Sequence, residues 1–242
     1  MRVWFITGAS RGFGALIAEA ALKAGDAVAA SARDPSTVTK RLGTHDRLLA
    51  TRLDVTSKAE AYEGAGQAVK KFGRIDILVN NAGILKVGSI IDSSNEDWEE
   101  VCRVNLSGVF YCSKAVLPLM LKQRSGKIIN IASISAFKGG GVFGNALYGT
   151  TKAGVIALTK GFARELGPFG INVNSIAPGL ADTGMTNRYF NDENRRQISQ
   201  AIPMGRLATT GDIAKLVLFL ASEVSAYITG ETITIDGGYL TK

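Results

Sequence analysis

The sequence predicts a single-domain, doubly wound α/β fold with about seven parallel strands and helices on both faces of the sheet. Three observations predict it. Apolar, β-branched runs alternate with stretches of helical spacing along the whole chain. The strand runs are continuously apolar rather than alternating, so both sheet faces must be covered. No Pro/Gly/Ser-rich linker interrupts the 242 residues, a length that suits one α/β domain.

The strand runs fall at 3–7, 27–31, 48–55, 75–80, 127–132, 171–177 and 231–236. Helical spacing covers 13–24, 58–72, 96–121, 147–166 and 211–222. Gly25 and Gly73 stand where helix C-caps belong, and Ser94 or Asn95 can cap the long helix. Residues 184–200 break the rhythm. They are polar, rich in Asn and Arg, and contain Tyr189 and Phe190. They read either as a loop or mobile helical lid, a substrate loop at about 184–205, or as a plain surface excursion.

Composition excludes several classes. Hydrophobic residues make up 46% and charged residues 20%, as in an ordinary globular protein. Apolar runs such as 214–221, broken by Lys215, are too short to span a bilayer, and a strand run beginning at Val3 leaves no room for a signal peptide. Cys102 and Cys112 make no disulfide framework, which suits a reducing cytoplasm. The net charge of +7 comes from scattered Lys and Arg; the pairs Lys70-Lys71 and Arg195-Arg196 read as solvated helix faces rather than a nucleic-acid surface. That balance also allows weak attraction toward anionic cofactors or acidic carrier proteins. His45 is the only histidine, so neither a Ser-His-Asp triad nor a metal site is expected.

The chemistry concentrates in two places. Gly8-Ala9-Ser10-Arg11-Gly12-Phe13-Gly14 joins the first strand to the first helix. Glycines there permit a tight turn and let backbone N–H groups approach a pyrophosphate at the helix N-terminus. Tyr148 and Lys152 are four apart and share one helix face. A free phenol, with a pKa near ~10, is a poor base at neutral pH, and a neighbouring ammonium favours the phenolate.

Thr7-Gly8-x-x-x-Gly12-x-Gly14, Asn80-Asn81-Ala82-Gly83, Tyr148-x-x-x-Lys152, Pro178-Gly179 and Asp236-Gly237-Gly238 follow one another in register. This set resembles the short-chain dehydrogenase/reductase family over essentially the whole chain. The stretches 4–7 and 32–35 resemble one branch of it, and the chain after Gly83 another. The resemblance implies a Rossmann-like domain, residues 1–90 mainly binding cofactor and 91–242 supplying catalysis and substrate contacts. It implies hydride exchange between a nicotinamide and a carbonyl or alcohol carbon, Tyr148 moving the proton and Lys152 also holding the nicotinamide ribose. Asn105 matches the family asparagine that helps hold the lysine and a proton-relaying water.

The family serine, which hydrogen-bonds the substrate oxygen, matches Ser133 by its place after the strand. Ser133 precedes Tyr148 by two positions more than is usual, and Ser135 meets the usual spacing. Ser133 is favoured because the strand places it and Gly139-Gly140-Gly141 reads as an accommodating insertion; Ser135 stays open. Around the cofactor the resemblance implies Gly8, Ser10, Arg11, Gly12, Phe13 and Gly14 at the pyrophosphate, Asp54 and Val55 beside the adenine, and Asn81, Ala82 and Gly83 along the cleft. Pro178, Gly179, Ala181 and Thr183 would position the nicotinamide amide. Ala32 stands where an NAD-selecting acid would sit, with Arg33 next to it and Arg11 nearby, so NADP(H) is expected over NAD(H). Asp34, one residue on, is the competing reading.

Substrate contacts are expected from Ser133, Ser135, Tyr148, Leu180 and Tyr189, with segments 139–147 and 180–204 setting specificity. The leading expectation is a carbonyl reductase or alcohol dehydrogenase acting on an uncharged or mildly polar substrate. A 3-oxoacyl-carrier-protein reductase-like role suits the basic charge. An idle nucleotide-binding scaffold is the contrasting class, against which the intact Asn105, Ser133, Tyr148 and Lys152 argue. The family also implies a homotetramer or homodimer formed through helices 96–121 and 147–166, where Ala153, Gly154, Ala157 and Gly161 permit close approach.

Overall fold

The computed structural model describes residues 1–142 and 145–241. Its seven strands are β1 (Val3–Ile6), β2 (Ala27–Ala32), β3 (Leu48–Arg52), β4 (Ile77–Asn80), β5 (Gly126–Ile131), β6 (Ile171–Pro178) and β7 (Thr232–Ile235). They form one sheet in the order β3-β2-β1-β4-β5-β6-β7, and every neighbouring pair is parallel. Trp4 pairs with Val28 on one side and Ile77 on the other, so the strand order reverses at β1 and β4. A crevice at the carboxyl ends of the strands follows from that reversal.

Continuous apolarity in the strands has the expected cause. Trp4 and Ile6 point into a core built with α1 (Gly12–Lys23), α2 (Pro35–Leu42) and α9 (Thr210–Ala221), while Phe5 points into the opposite one. That second core is filled from α3 (Lys58–Phe72), α5 (Gly108–Gln123) and α7 (Ala146–Leu166), through Ala65, Val116, Met120 and Ala163. Gly25 and Gly73, at φ 89° and 79°, turn the chain out of α1 and α3.

The structure departs from the sequence reading in identifiable places. The long helix is interrupted: α4 (Asn95–Cys102), started by a Ser94–Asp97 capping box, passes through a wide π turn at Arg103–Ser107 into α5. This stretch, Asn95–Gln123, has the length and apolarity of a membrane span, yet Cys112, Val116 and Met120 are buried in the core beneath the sheet. Helix α2 and the short α6 (Ser135–Lys138) were not anticipated, whereas α8 (Asp192–Ala201) falls in the segment read as a loop or a helical lid. Helices α2 and α8 each bury a single residue, Val38 and Ile198, so neither has an apolar stripe to read. Local caps hold them instead, Asp34 for α2 and Asn191 for α8.

Candidate active site

A cleft of about 1130 Å³ opens at the carboxyl ends of the strands. Its first wall is the β1–α1 turn. Arg11 is the N-cap of α1 in extended conformation (φ −161°), with no side chain capping the helix and no acid in its first turn. The leading N–H groups of α1 therefore face the cleft unneutralised, the arrangement that attracts a phosphate. Gly12, at φ 58°, is a position where a Cβ would meet nothing within 4 Å. Gly14 lies beneath the wall, where a Cβ would stand 2.5 Å from Asn81 Nδ2. That amide donates to the carbonyls of Thr7 (2.8 Å) and Gly8 (3.0 Å), while Thr7 Oγ1 accepts from the backbone N–H groups of Asn81 and Ala82. The Asn81–Gly83 stretch is thereby stapled to the glycine turn.

Around the carboxyl ends of β2 and β3 the wall is formed by Ser10, Arg11, Phe13, Ala32, Arg33, Asp54 and Val55. Asp34 is absent from it. Its carboxylate accepts from the Ser36 backbone N–H and hydroxyl, both at 3.0 Å, and these bonds hold its pKa below the usual carboxylate range. Asp54 is likewise held low, chiefly by the backbone N–H of Thr56. Among the described residues neither Arg11 nor Arg33 is tied up in an ion pair.

At the other end, Asn145 caps α7 by accepting from the Tyr148 backbone N–H, so Tyr148 and Lys152 enter the cleft wall on the first turns of that helix. Lys152 Nζ lies 5.7 Å from the Tyr148 ring centroid and donates to the Ile131 carbonyl at 2.7 Å. Ser133 is the side chain whose polar interaction favours the Tyr148 phenolate. Ser133 Oγ also accepts from the Ser135 backbone N–H at 3.1 Å. The two extra positions between Ser133 and Tyr148 are taken up by α6 and the glycine run. A Cβ on Gly149 would stand 2.6 Å from the backbone of both Gly139 and Gly140, so that loop lies directly on α7. Of segment 139–147, positions 143 and 144 lie outside the described residues.

The electrostatics differ from the expectation that the ammonium lowers the phenol. Loss of water around its hydroxyl pushes Tyr148 up to about 12, opposed by the polar interaction with Ser133, and burial pushes Lys152 down to about 8. Desolvation disfavours both charged forms and here outweighs their mutual attraction. The lysine shift has a stability consequence. Between about 8 and 10.5 the unfolded chain holds a proton that the folded chain has lost, so stability rises with pH across that window. Relative to a Lys152→Met variant, the wild type should gain up to about 3 kcal/mol there. Urea unfolding of both proteins at about pH 7.5 and about pH 10 checks it; a pH-independent difference would contradict it.

Asn105, in the π turn, is buried behind the wall. Its amide mimics a strand partner, accepting from the Ile84 N–H (2.8 Å) and donating to the Ile84 carbonyl (3.0 Å), with Thr151 Oγ1 at 3.3 Å. Gly83 is wedged between the two polar groups: a Cβ there would stand 3.3 Å from Asn105 Oδ1 and 3.6 Å from Lys152 Nζ.

A family model described as enoyl-(acyl carrier protein) reductase matches residues 8–240. The 3-oxoacyl-[acyl-carrier-protein] reductase FabG of Escherichia coli is 41% identical over 240 residues, covering 98% of this chain and 96% of its own. A short-chain type dehydrogenase/reductase from Mycobacterium marinum superposes with a TM-score of 0.93 at 34% identity, over 100% of this chain and 96% of its own. This chain is a short-chain dehydrogenase/reductase. Also similar is a gluconate 5-dehydrogenase from Burkholderia cenocepacia solved in complex with NADP and tartrate (TM-score 0.92, 30% identity, 100% and 96% coverage).

In this short-chain dehydrogenase/reductase one cleft gathers nearly every residue singled out by sequence. Pro178, Gly179, Leu180, Ala181, Thr183 and Tyr189 line its far side, with Ser133 and Ser135 opposite. Only Gly14 and Asn105 stand behind the surface. Val142 and Arg188, from the segments 139–147 and 180–204, also line the cleft; Lys138 and Tyr239 do too and were missed, because no motif spacing marks segments that tertiary topology alone brings to a site.

Proposed function

We propose that this enzyme interconverts a carbonyl and an alcohol by NADP(H)-dependent hydride transfer, with Tyr148 as general acid and base. The observation that carries the reading is Tyr148, its phenolate favoured by Ser133, at the wall of a dinucleotide-sized cleft, with Lys152 beneath it. The residues present fit a dinucleotide: the uncapped α1 N-terminus and the open Cβ direction at Gly12 form a cradle for its pyrophosphate. Arg11 and Arg33, neither in an ion pair, suit a ribose 2′-phosphate, and the one competing acid, Asp34, is engaged by Ser36. NADP in the gluconate 5-dehydrogenase neighbour supports the same choice.

NADPH, when bound, supplies the hydride. Tyr148 donates its phenolic proton to the carbonyl oxygen, and takes it back from the alcohol in the reverse direction. Ser133 donates to the same oxygen and holds it at the phenol. Lys152 is charged at neutral pH, because its value of about 8 lies above 7, and its field steadies the phenolate that proton donation leaves. Asn105 fixes the Ile84 main chain beside Gly83 and so keeps this wall in place. Residues 1–90 mainly serve the cofactor, 91–242 the chemistry and substrate, and 184–205 form a mobile substrate loop.

A 3-oxoacyl-carrier-protein reductase-like role is the second reading, favoured by the Escherichia coli relative and by the net charge of +7. NADPH oxidation assayed against a panel of ketones, aldehydes and a 3-oxoacyl thioester separates these. Tight NADPH binding without turnover of any panel member would instead support an idle scaffold. We place the enzyme in the cytoplasm as a homotetramer or homodimer built on α4–α5 and α7. Ala153 and Ala157 are exposed on α7 and a Cβ on Gly161 would meet nothing, whereas Gly154 packs within the chain against Leu106. Sedimentation velocity at micromolar concentration is expected to show the dimer or tetramer; a monomer would contradict it.

A further inference from the structure

Beyond Tyr148 the cleft wall carries four cations that hydride transfer does not use: Lys86, held by Asp97 and Glu100, Arg103 on the π turn, and Lys138 and Arg188, the two that stand over aromatic rings. Lys138 ends α6, and Arg188 lies in the turn Asn187–Tyr189; both line the same cleft as Ser133 and Tyr148. Lys138 Nζ stands 4.7 Å from the Tyr239 ring centroid, and Arg188 Cζ stands 4.9 Å from that of Tyr189. Each of these two is therefore backed by an aromatic ring that also belongs to the wall.

No carboxylate neutralises them. The wall's two acids are engaged elsewhere: Glu100 with Lys86 at 2.8 Å, and Asp54 with Thr56 beyond β3. Asp182, near in sequence to Arg188, is paired with Arg195 at 2.9 Å. Among the described residues neither Lys138 nor Arg188 is in an ion pair. Lys138 is also fixed relative to the reacting centre. It precedes Gly139, whose backbone lies against Gly149, and Gly149 follows Tyr148. The residue that carries the cation thus leads directly into backbone packed on the helix turn that presents the phenol, independently of segment 184–205.

Resting on the carbonyl–alcohol reading above, we propose that the substrate carries an anionic group, carboxylate or phosphate, close to its reacting carbon, and that Lys138 and Arg188 bind it. Two uncompensated positive charges in a concave wall raise the local concentration of an anion, and it displaces no existing partner on arrival. This departs from the uncharged or mildly polar substrate that the sequence suggests.

Matched probes test it on the NADPH-loaded enzyme. Acetoacetate and levulinate are compared with their methyl esters, and dihydroxyacetone phosphate with dihydroxyacetone; the quantity read is the kcat/KM ratio of anion to neutral partner within each protein. Any loss common to both partners cancels in that ratio. The wild type is expected to favour the anion of at least one pair by about five- to tenfold, carried in KM rather than kcat, as two exposed charge contacts allow. Which pair responds distinguishes carboxylate from phosphate. The ratio should approach one in Lys138→Ala/Arg188→Ala, lie between in each single variant, and survive in Lys138→Arg. A wild-type ratio at or below one for every pair, or one unchanged in the double variant, overturns the proposal while leaving carbonyl reduction standing. Absence of turnover for anionic and neutral probes alike overturns both.

Discussion

Tyr148→Phe is expected to lower kcat/KM for carbonyl reduction by about three orders of magnitude, while NADPH binding stays within about twofold. The substitution keeps the ring that packs beside Lys152 and removes the phenol hydroxyl that stands with Ser133. The lone histidine, His45, lies in the loop after α2, bonded to Arg47, and cannot take over the role. The same geometry separates the two serines. Ser133→Ala removes the hydroxyl that favours the phenolate and should cost about a hundredfold or more. Ser135→Ala removes a hydroxyl set against Gly141 and should cost far less. Steady-state kinetics with NADPH titrations separate turnover from binding; the reverse ranking of the serines would move the oxygen-binding site to Ser135.

The second large effect concerns the cofactor. The wild type is expected to prefer NADPH over NADH by about ten- to a hundredfold, and Ala32→Asp/Arg33→Ala to invert that preference. Charge-assisted bonds to a 2′-phosphate supply the selectivity, discounted here because Arg11 and Arg33 are exposed at the cleft mouth. For the same reason the preference should weaken as salt is raised. Asp34→Ala should leave the preference unchanged, since that carboxylate caps α2 rather than facing the cleft. Fluorescence titration with both cofactors measures all of these; wild-type selectivity for NADH would refute the assignment.

Much of the fold was legible because a parallel sheet covered on both faces leaves continuous apolar runs, and every predicted run became a strand. The run 48–55 was overextended: β3 ends at Arg52, and Leu53, Asp54 and Val55 turn into the cleft as part of its wall. Helix α2 escaped detection for the opposite reason, since a cap rather than a buried stripe makes it, and for the same reason α8 was legible only as one of several readings of 184–200. In the cleft, residues carried by motifs were legible because each motif sits at a strand end and the topology converges those ends. The choice between Ser133 and Ser135 was open in sequence, because spacing along the chain does not reveal how α6 and the glycine run fold onto α7. Neither was the sign of the Tyr148 shift, which depends on lost hydration rather than on its neighbour's charge. Lys138 and Tyr239 were invisible for a related reason: they come from two separate segments that reach the cleft only in the folded chain.

The most direct test of hydride transfer with Tyr148 as proton carrier uses NADPH deuterated at the transferable position of the nicotinamide. Mass spectrometry of the alcohol formed from a turned-over ketone should find one deuterium on the carbinol carbon. The same product should be almost absent with Tyr148→Phe, although that variant still binds the cofactor. Alcohol without deuterium, or equal labelled product from the variant, would contradict the account.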